Sequence, residues 1–231
     1  DADYAEIRQR HRNRGDAKRL VSLEKARGQK FDGGWDAYDP PAPRQPGITV
    51  LDDYPLAELV EYIDWTPFFQ AWELAGKFPA ILTDEVVGPQ ASELYRDARA
   101  MLDRIIAERW LTARGVFGLW PAQSVGDDVL IQTDGGPQTL HFLRQQVDKP
   151  VERPDFCLAD FIAPQASGKP DWIGMFAVTA GIGIDAHVAR FEADHDDYNA
   201  ILLKALADRL AEAFAERMHE RVRTEFWGYD A

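Results

Sequence analysis

The sequence predicts an α+β fold, with one mixed or antiparallel sheet packed with helices and entered by an N-terminal arm. Three observations carry this reading. From about residue 115 to 181, apolar runs alternate with turns rich in Gly, Asp and Pro. Several of those turns are short, which favours antiparallel pairing, because a parallel crossover needs about a dozen residues. On either side the apolar period changes to that of a helix, over 91–109 and, longest and cleanest, over about 197–224.

In chain order, residues 1–27 mix Arg, Lys, Glu and Ala with scattered Ile, Leu and Val, the composition of a solvated helix or linker. Residues 31–47 are dense in Gly and Pro, marking an extended connector that Phe31, Trp35 and Tyr38 would anchor. Ile48–Leu51 reads as a strand, Asp52–Pro55 as a turn, and Leu56–Tyr62 as a short helix. Next, Trp65, Phe68, Phe69 and Trp72 fall at i, i+3, i+4 and i+7, one face of a helix expected to run to Gly76. Pro67 suits its first turn. The 91–109 helix turns Leu94, Ala98, Met101, Leu102, Ile105 and Ile106 inward. Strands are expected at 115–122, 129–133, 139–144, 158–162 and 173–181, followed by a helix over 185–193. On the last helix Ile201, Leu202, Ala205, Leu206, Leu210, Ala213 and Phe214 form the buried stripe. Lys204, Arg209, Glu216, Arg217 and Glu220 face water.

Composition narrows the function classes. The 231 residues are 45% hydrophobic, enough for one sizeable core or two small ones. A net charge of −13 argues against nucleic acid or an anionic membrane as partner, since both need clustered Lys and Arg. With a single cysteine, Cys157, no intramolecular disulfide and no cysteine zinc cluster can form. No apolar run reaches membrane-spanning length and no signal peptide opens the chain, so a cytoplasmic protein is expected. Charged residues without an initiating Met at one end, and a stop soon after a strong helix at the other, suggest a piece of a larger protein.

Few residues carry a signature of chemistry. Asp64 precedes the aromatic helix, where it can cap the helix or, beside orphan N–H groups, help hold a polar ligand. Asp208 and Glu212 lie at i, i+4 and project from one side of the last helix. They are a solvated acidic face paired to Arg209 and Lys204, or, in the functional reading, Glu212, Asp64 or both take the ammonium of an amino-acid-like ligand. His195-Asp196-Asp197 reads as a helix cap, and Cys157 as a small buried residue. His141, His187 and His219 stand apart, without metal-ligand spacing. No Walker motif, dinucleotide fingerprint or GxSxG elbow is present, so no catalytic or metal-ligating residue is assigned.

Longer segments add a resemblance. YIDWTPFFQAWELAGKFPAIL (62–82), DEVVGPQASELYRDARAMLD (84–103), RGVFGLWPAQSVGDDV (114–129), LRQQ (143–146), CLADFIAP (157–164), GMFAVTAG (174–181) and the run from His195 to Tyr229 occur in order. Together they resemble the activation domain of cobalamin-dependent methionine synthase, from about Leu20 to the end of the chain. The resemblance implies a C-shaped fold with a twisted, mainly antiparallel sheet flanked by helices, here over 28–231, with 1–27 as linker arm. It implies S-adenosylmethionine binding and reductive methylation of cob(II)alamin back to methylcobalamin. Cobalamin would be held by a separate domain, and the electron would come from flavodoxin or a flavoprotein reductase. Zinc would belong only to the homocysteine module of the full methyltransferase, and this chain alone is not expected to turn over. Asp64, in IDWTPFF, matches the ligand-contacting aspartate; Glu212, in LAEAFAE, a second ligand-proximal carboxylate; Asp208 a position that docks against the cobalamin domain. The family's Arg-Pro-x-x-Gly-Tyr-Pro segment does not occur before Ala231, so the domain is expected to be truncated at its C-terminus. A docking module without ligand binding is the alternative expectation.

Overall fold

Two long strands organise the computed structural model of the protein, which describes residues 3–5, 7–9, 20–150 and 152–230. They are β2 (Thr112–Val125) and β5 (Asp171–Ile182), and they pair with each other. β1 (Gly47–Tyr54) and β3 (Asp128–Thr133) also pair with β2, and β4 (Gly136–His141) pairs with β3. β2 with β3, and β3 with β4, are antiparallel, and the sheet is open. With five α-helices among the described residues outside 3–9, the fold is the expected α+β.

The chain divides into two compact units, Asp1–Pro43 with Leu119–Ile173, and Arg44–Gly118 with Gly174–Ala231. In the first, α1 (Leu23–Gly28) starts at Ser22, whose hydroxyl accepts from the Lys25 N–H. Residues 3–5 and 7–9 of the expected arm are helical, while 10–19 lie outside the described residues. The connector is anchored as expected at Phe31, which packs on Phe156 and Phe161. Ala122, Val129, Ile131, Cys157 and Ala159 form the core beneath the hairpins. Gly126, with φ +65°, closes a two-residue hairpin, so β2 continues to Val125 beyond the expected end at 122. β4 likewise begins three residues before the expected 139 and stops at His141.

The strand expected over 158–162 is instead a 3-10 turn, Leu158–Phe161. The Asp160 carboxylate accepts from the Cys157 N–H at 3.0 Å and grips Arg144 through both oxygens, at 2.6 and 2.8 Å. That local side-chain bond competes with strand pairing and turns the backbone. Apolar composition mimicked a strand, although Leu158 and Phe161 are largely exposed.

In the second unit, α3 (Gly88–Ala107) and α5 (Asp197–Arg221) supply much of the core, with Leu94, Leu102, Leu203, Leu206, Leu210 and Phe214 fully or nearly fully buried. α4 (Ile184–Ala193) packs on α5, whose cap, Asp196, accepts from the Asn199 N–H as the sequence suggested. Three expectations need correction. Asp52–Tyr54, expected in a turn, continue β1, and the expected short helix Leu56–Tyr62 is present as a 3-10 helix between Pro55 and the extended Ile63–Asp64. The aromatic helix, α2 (Trp65–Ala71), stops short of Gly76 because Glu73 takes the left-handed position and the Leu74 N–H reaches back to the Phe69 carbonyl. Trp72 therefore lies beyond its helical turns, half-buried against Tyr198. Ile201, expected in the buried stripe, is exposed, and Leu203 takes an inward place.

Candidate ligand site

All the residues that line the site belong to the second unit. Asp64 is the N-cap of α2, and one of its oxygens accepts from the Thr66 N–H at 2.9 Å. Trp65, Phe68 and Phe69 are buried behind it, so the start of the helix cannot drift. Thr66 is itself tied by the Phe78 N–H at 3.2 Å. Asp64 is nonetheless exposed, and it lines a hollow of about 630 Å³ with Tyr62, Phe176, Glu212, Ala215, Glu216 and His219. The capping and pocket-lining readings of Asp64 thus coexist.

α5 presents Glu212, Ala215, Glu216 and His219 to this hollow, the i, i+3, i+4, i+7 pattern of one helix face. Asp208 does not line it; its carboxylate takes the Arg209 guanidinium at 2.6 Å. Arg209 also forms an ion pair with Glu212, so one cation spans the two acids that otherwise repel across a turn. Lys204, expected to share that task, pairs with Glu192 instead, at 3.4 Å. Arg209 and Arg217 do not face water as expected. Their side chains are 13% and 25% exposed, folded onto acidic neighbours.

Tyr62 brings a polar frame to the rim. Its hydroxyl donates to Glu220 at 2.5 Å and accepts from Arg217 at 3.0 Å. Arg217 in turn contacts Glu220 and Tyr54, and the Tyr54 hydroxyl donates to Glu58. The bond to Glu220, helped by burial, raises the Tyr62 pKa. The same bond, with Arg217 behind it, lowers that of Glu220. The frame fixes the phenol without using Asp64 or Glu212.

Sequence reasoning singled out Asp64, Asp208 and Glu212, of which Asp64 and Glu212 line the hollow, and passed over Tyr62, Phe176, Glu216 and His219. For the three residues of α5 after Glu212 the signal existed, since they share its helical face; Phe176 arrives from β5 and had none. Elsewhere, Cys157 is buried, its thiol pushed up by burial. His187 stacks on Trp110 with ring centroids 4.6 Å apart. Among the described residues no three His, Cys, Asp or Glu side chains gather as a metal would require, and no helix is long and apolar enough to cross a membrane.

Comparison with known proteins supplies the frame. Residues 55–231 match the family model described as vitamin B12 dependent methionine synthase, activation domain. A crystal structure of the MetH reactivation domain bound to AdoHcy superposes with a TM-score of 0.86 at 53% sequence identity. The match covers 91% of this chain and 65% of that one. This chain therefore belongs to the activation-domain family of vitamin B12 dependent methionine synthases.

Proposed function

We propose that the hollow between α2 and α5 binds S-adenosylmethionine, and that the domain serves the reactivation of a cytoplasmic methionine synthase. The reaction served is reductive methylation of cob(II)alamin back to methylcobalamin. Cobalamin sits on a separate domain, and flavodoxin or a flavoprotein reductase supplies the electron. The observation that carries the ligand reading is the convergence of Asp64 and Glu212 on one concavity, in a chain 53% identical to a reactivation domain bound to AdoHcy.

The lining suits the ligand. Its volume falls within the range of about 300–1,000 Å³ usual for small-molecule sites, and three carboxylates (Asp64, Glu212, Glu216) meet a ligand bearing an ammonium and a sulfonium. The sulfonium supplies an activated methyl group. Asp64 has an oxygen left over from its capping bond, which accepts a charge-assisted hydrogen bond from the α-ammonium. Glu212 is held in place by Arg209 and adds a second acceptor. The domain's contribution is positioning, because presenting the methyl group at a fixed place removes much of the entropic cost of the transfer. Asp208, exposed and off the hollow, is proposed to face the cobalamin domain.

Isothermal titration with S-adenosylmethionine tests the ligand reading. Asp64→Asn keeps the helix cap, and Glu212→Gln keeps the side-chain shape. Each is expected to weaken binding by about 10- to 100-fold, the worth of a hydrogen bond to a charged group. Unchanged affinity in both variants would remove these residues from the site. For docking, Asp208→Lys is expected to weaken association with the cobalamin domain while leaving ligand affinity intact. Loss of ligand affinity in that variant would contradict the separation of roles.

A further inference from the structure

The carboxylates of the hollow are not equivalent. Glu212 shares the Arg209 guanidinium with Asp208, and Asp64 has one oxygen committed to the Thr66 N–H. Glu216, one turn beyond Glu212 on the same face, lines the hollow, is exposed, and has no cationic partner or hydrogen-bond donor among the described residues. Arg217, next in sequence, is committed to Glu58, Tyr62 and Glu220 rather than to Glu216. Among the described residues of the lining, His219 is the one group able to carry positive charge. Among the described residues, Glu216 is thus the one carboxylate of the hollow whose charge meets neither a cation nor a hydrogen-bond donor.

We infer that Glu216 is the specificity-determining residue that favours the sulfonium form of the ligand over its demethylated thioether. This rests on the reading of the hollow as the S-adenosylmethionine site. S-adenosylmethionine and S-adenosylhomocysteine share the adenosyl group, the ammonium and the carboxylate, so contacts to those parts bind both equally. They differ by one methyl group and one positive charge at sulfur. An unpaired carboxylate on the wall acts on that charge through space, and it does so without the geometry a hydrogen bond demands. Loss of the methyl group removes the charge and hence the attraction, so spent ligand leaves more readily than fresh ligand. Differential affinity of this kind is what discriminates two ligands of nearly the same shape.

Titration calorimetry of both ligands against the protein and its Glu216→Gln and Glu216→Lys variants tests the assignment. For a charge in a solvent-open wall the expected loss of S-adenosylmethionine affinity in Glu216→Gln is about fivefold. S-adenosylhomocysteine should change by less than about twofold, because its sulfur is neutral. Glu216→Lys should reverse the preference, and added salt should narrow the ratio in the unmutated protein, as screening requires. Equal loss for both ligands, or an unchanged ratio in both variants, overturns the role of Glu216 while leaving the site standing. Failure of the unmutated protein to bind either ligand overturns the site itself.

Discussion

Asp64 does two things at once, and the two are separable by substitution. As N-cap it satisfies an orphan N–H of α2, a role whose loss costs about 1 kcal/mol. As lining residue it offers charge to the hollow. Asp64→Ala should therefore lower both stability and ligand affinity, whereas Asp64→Asn should lower affinity alone; urea denaturation beside calorimetry separates them. The buried Arg144 is a purely structural counterpart. Its guanidinium is bound by Asp127, by both oxygens of Asp160 and by the Asp155 carbonyl. Arg144→Ala strands the buried Asp160 carboxylate, while Asp127 keeps Arg27, and should cost about 3–5 kcal/mol.

The same cluster sets an acid limit. Burial alone raises the pKa values of Asp127 and Asp160, but their bonds to Arg27 and Arg144, and for Asp160 to the Cys157 N–H, more than offset it. Both carboxyls end below their ordinary value of 3.8. A carboxyl depressed in the folded state contributes stability above its unfolded pKa and loses it as pH falls through the folded value. The urea midpoint should thus hold from neutral pH down to about 4 and fall below that. A midpoint flat to pH 3 would contradict the assignment.

At the scale of elements, helical periodicity was the most legible feature. α3 and α5 lie within a few residues of expectation, because long amphipathic stripes declare themselves. Elements set by one side-chain bond were not legible. The 158–161 turn depends on Asp160 finding both Cys157 and Arg144, and the early end of α2 depends on Glu73 accepting a left-handed conformation usually left to Gly or Asn. Gly115 of β2 is a third case. A Cβ there would come within 2.9 Å of the Phe214 ring and 3.1 Å of Met218, both fully buried on α5. Gly115→Ala should overpack this contact and cost about 1–3 kcal/mol, read as a shift in the urea midpoint. A neutral result would mean that α5 can move away from the strand.

For the whole molecule, the net charge of −13 says little about fold, yet it agrees with a site that receives a cationic ligand. Composition and periodicity delivered the α+β class, and the quoted segments delivered the family, which the match over 55–231 shows. The hollow was half legible. Asp64 and Glu212 came from their segments, and Glu216 and His219 were readable from helical phase, but Phe176 and Tyr62 needed the fold to bring β5 and the 3-10 helix beside α5. No local pattern encodes that meeting of distant segments.

A crystal structure of this protein soaked with S-adenosylhomocysteine tests the central claim most directly. The account predicts ligand density in the hollow, with the ammonium on Asp64 and the sulfur on the α5 side near Glu216. Density at any other place, with Asp64 and Glu212 both untouched, would contradict it.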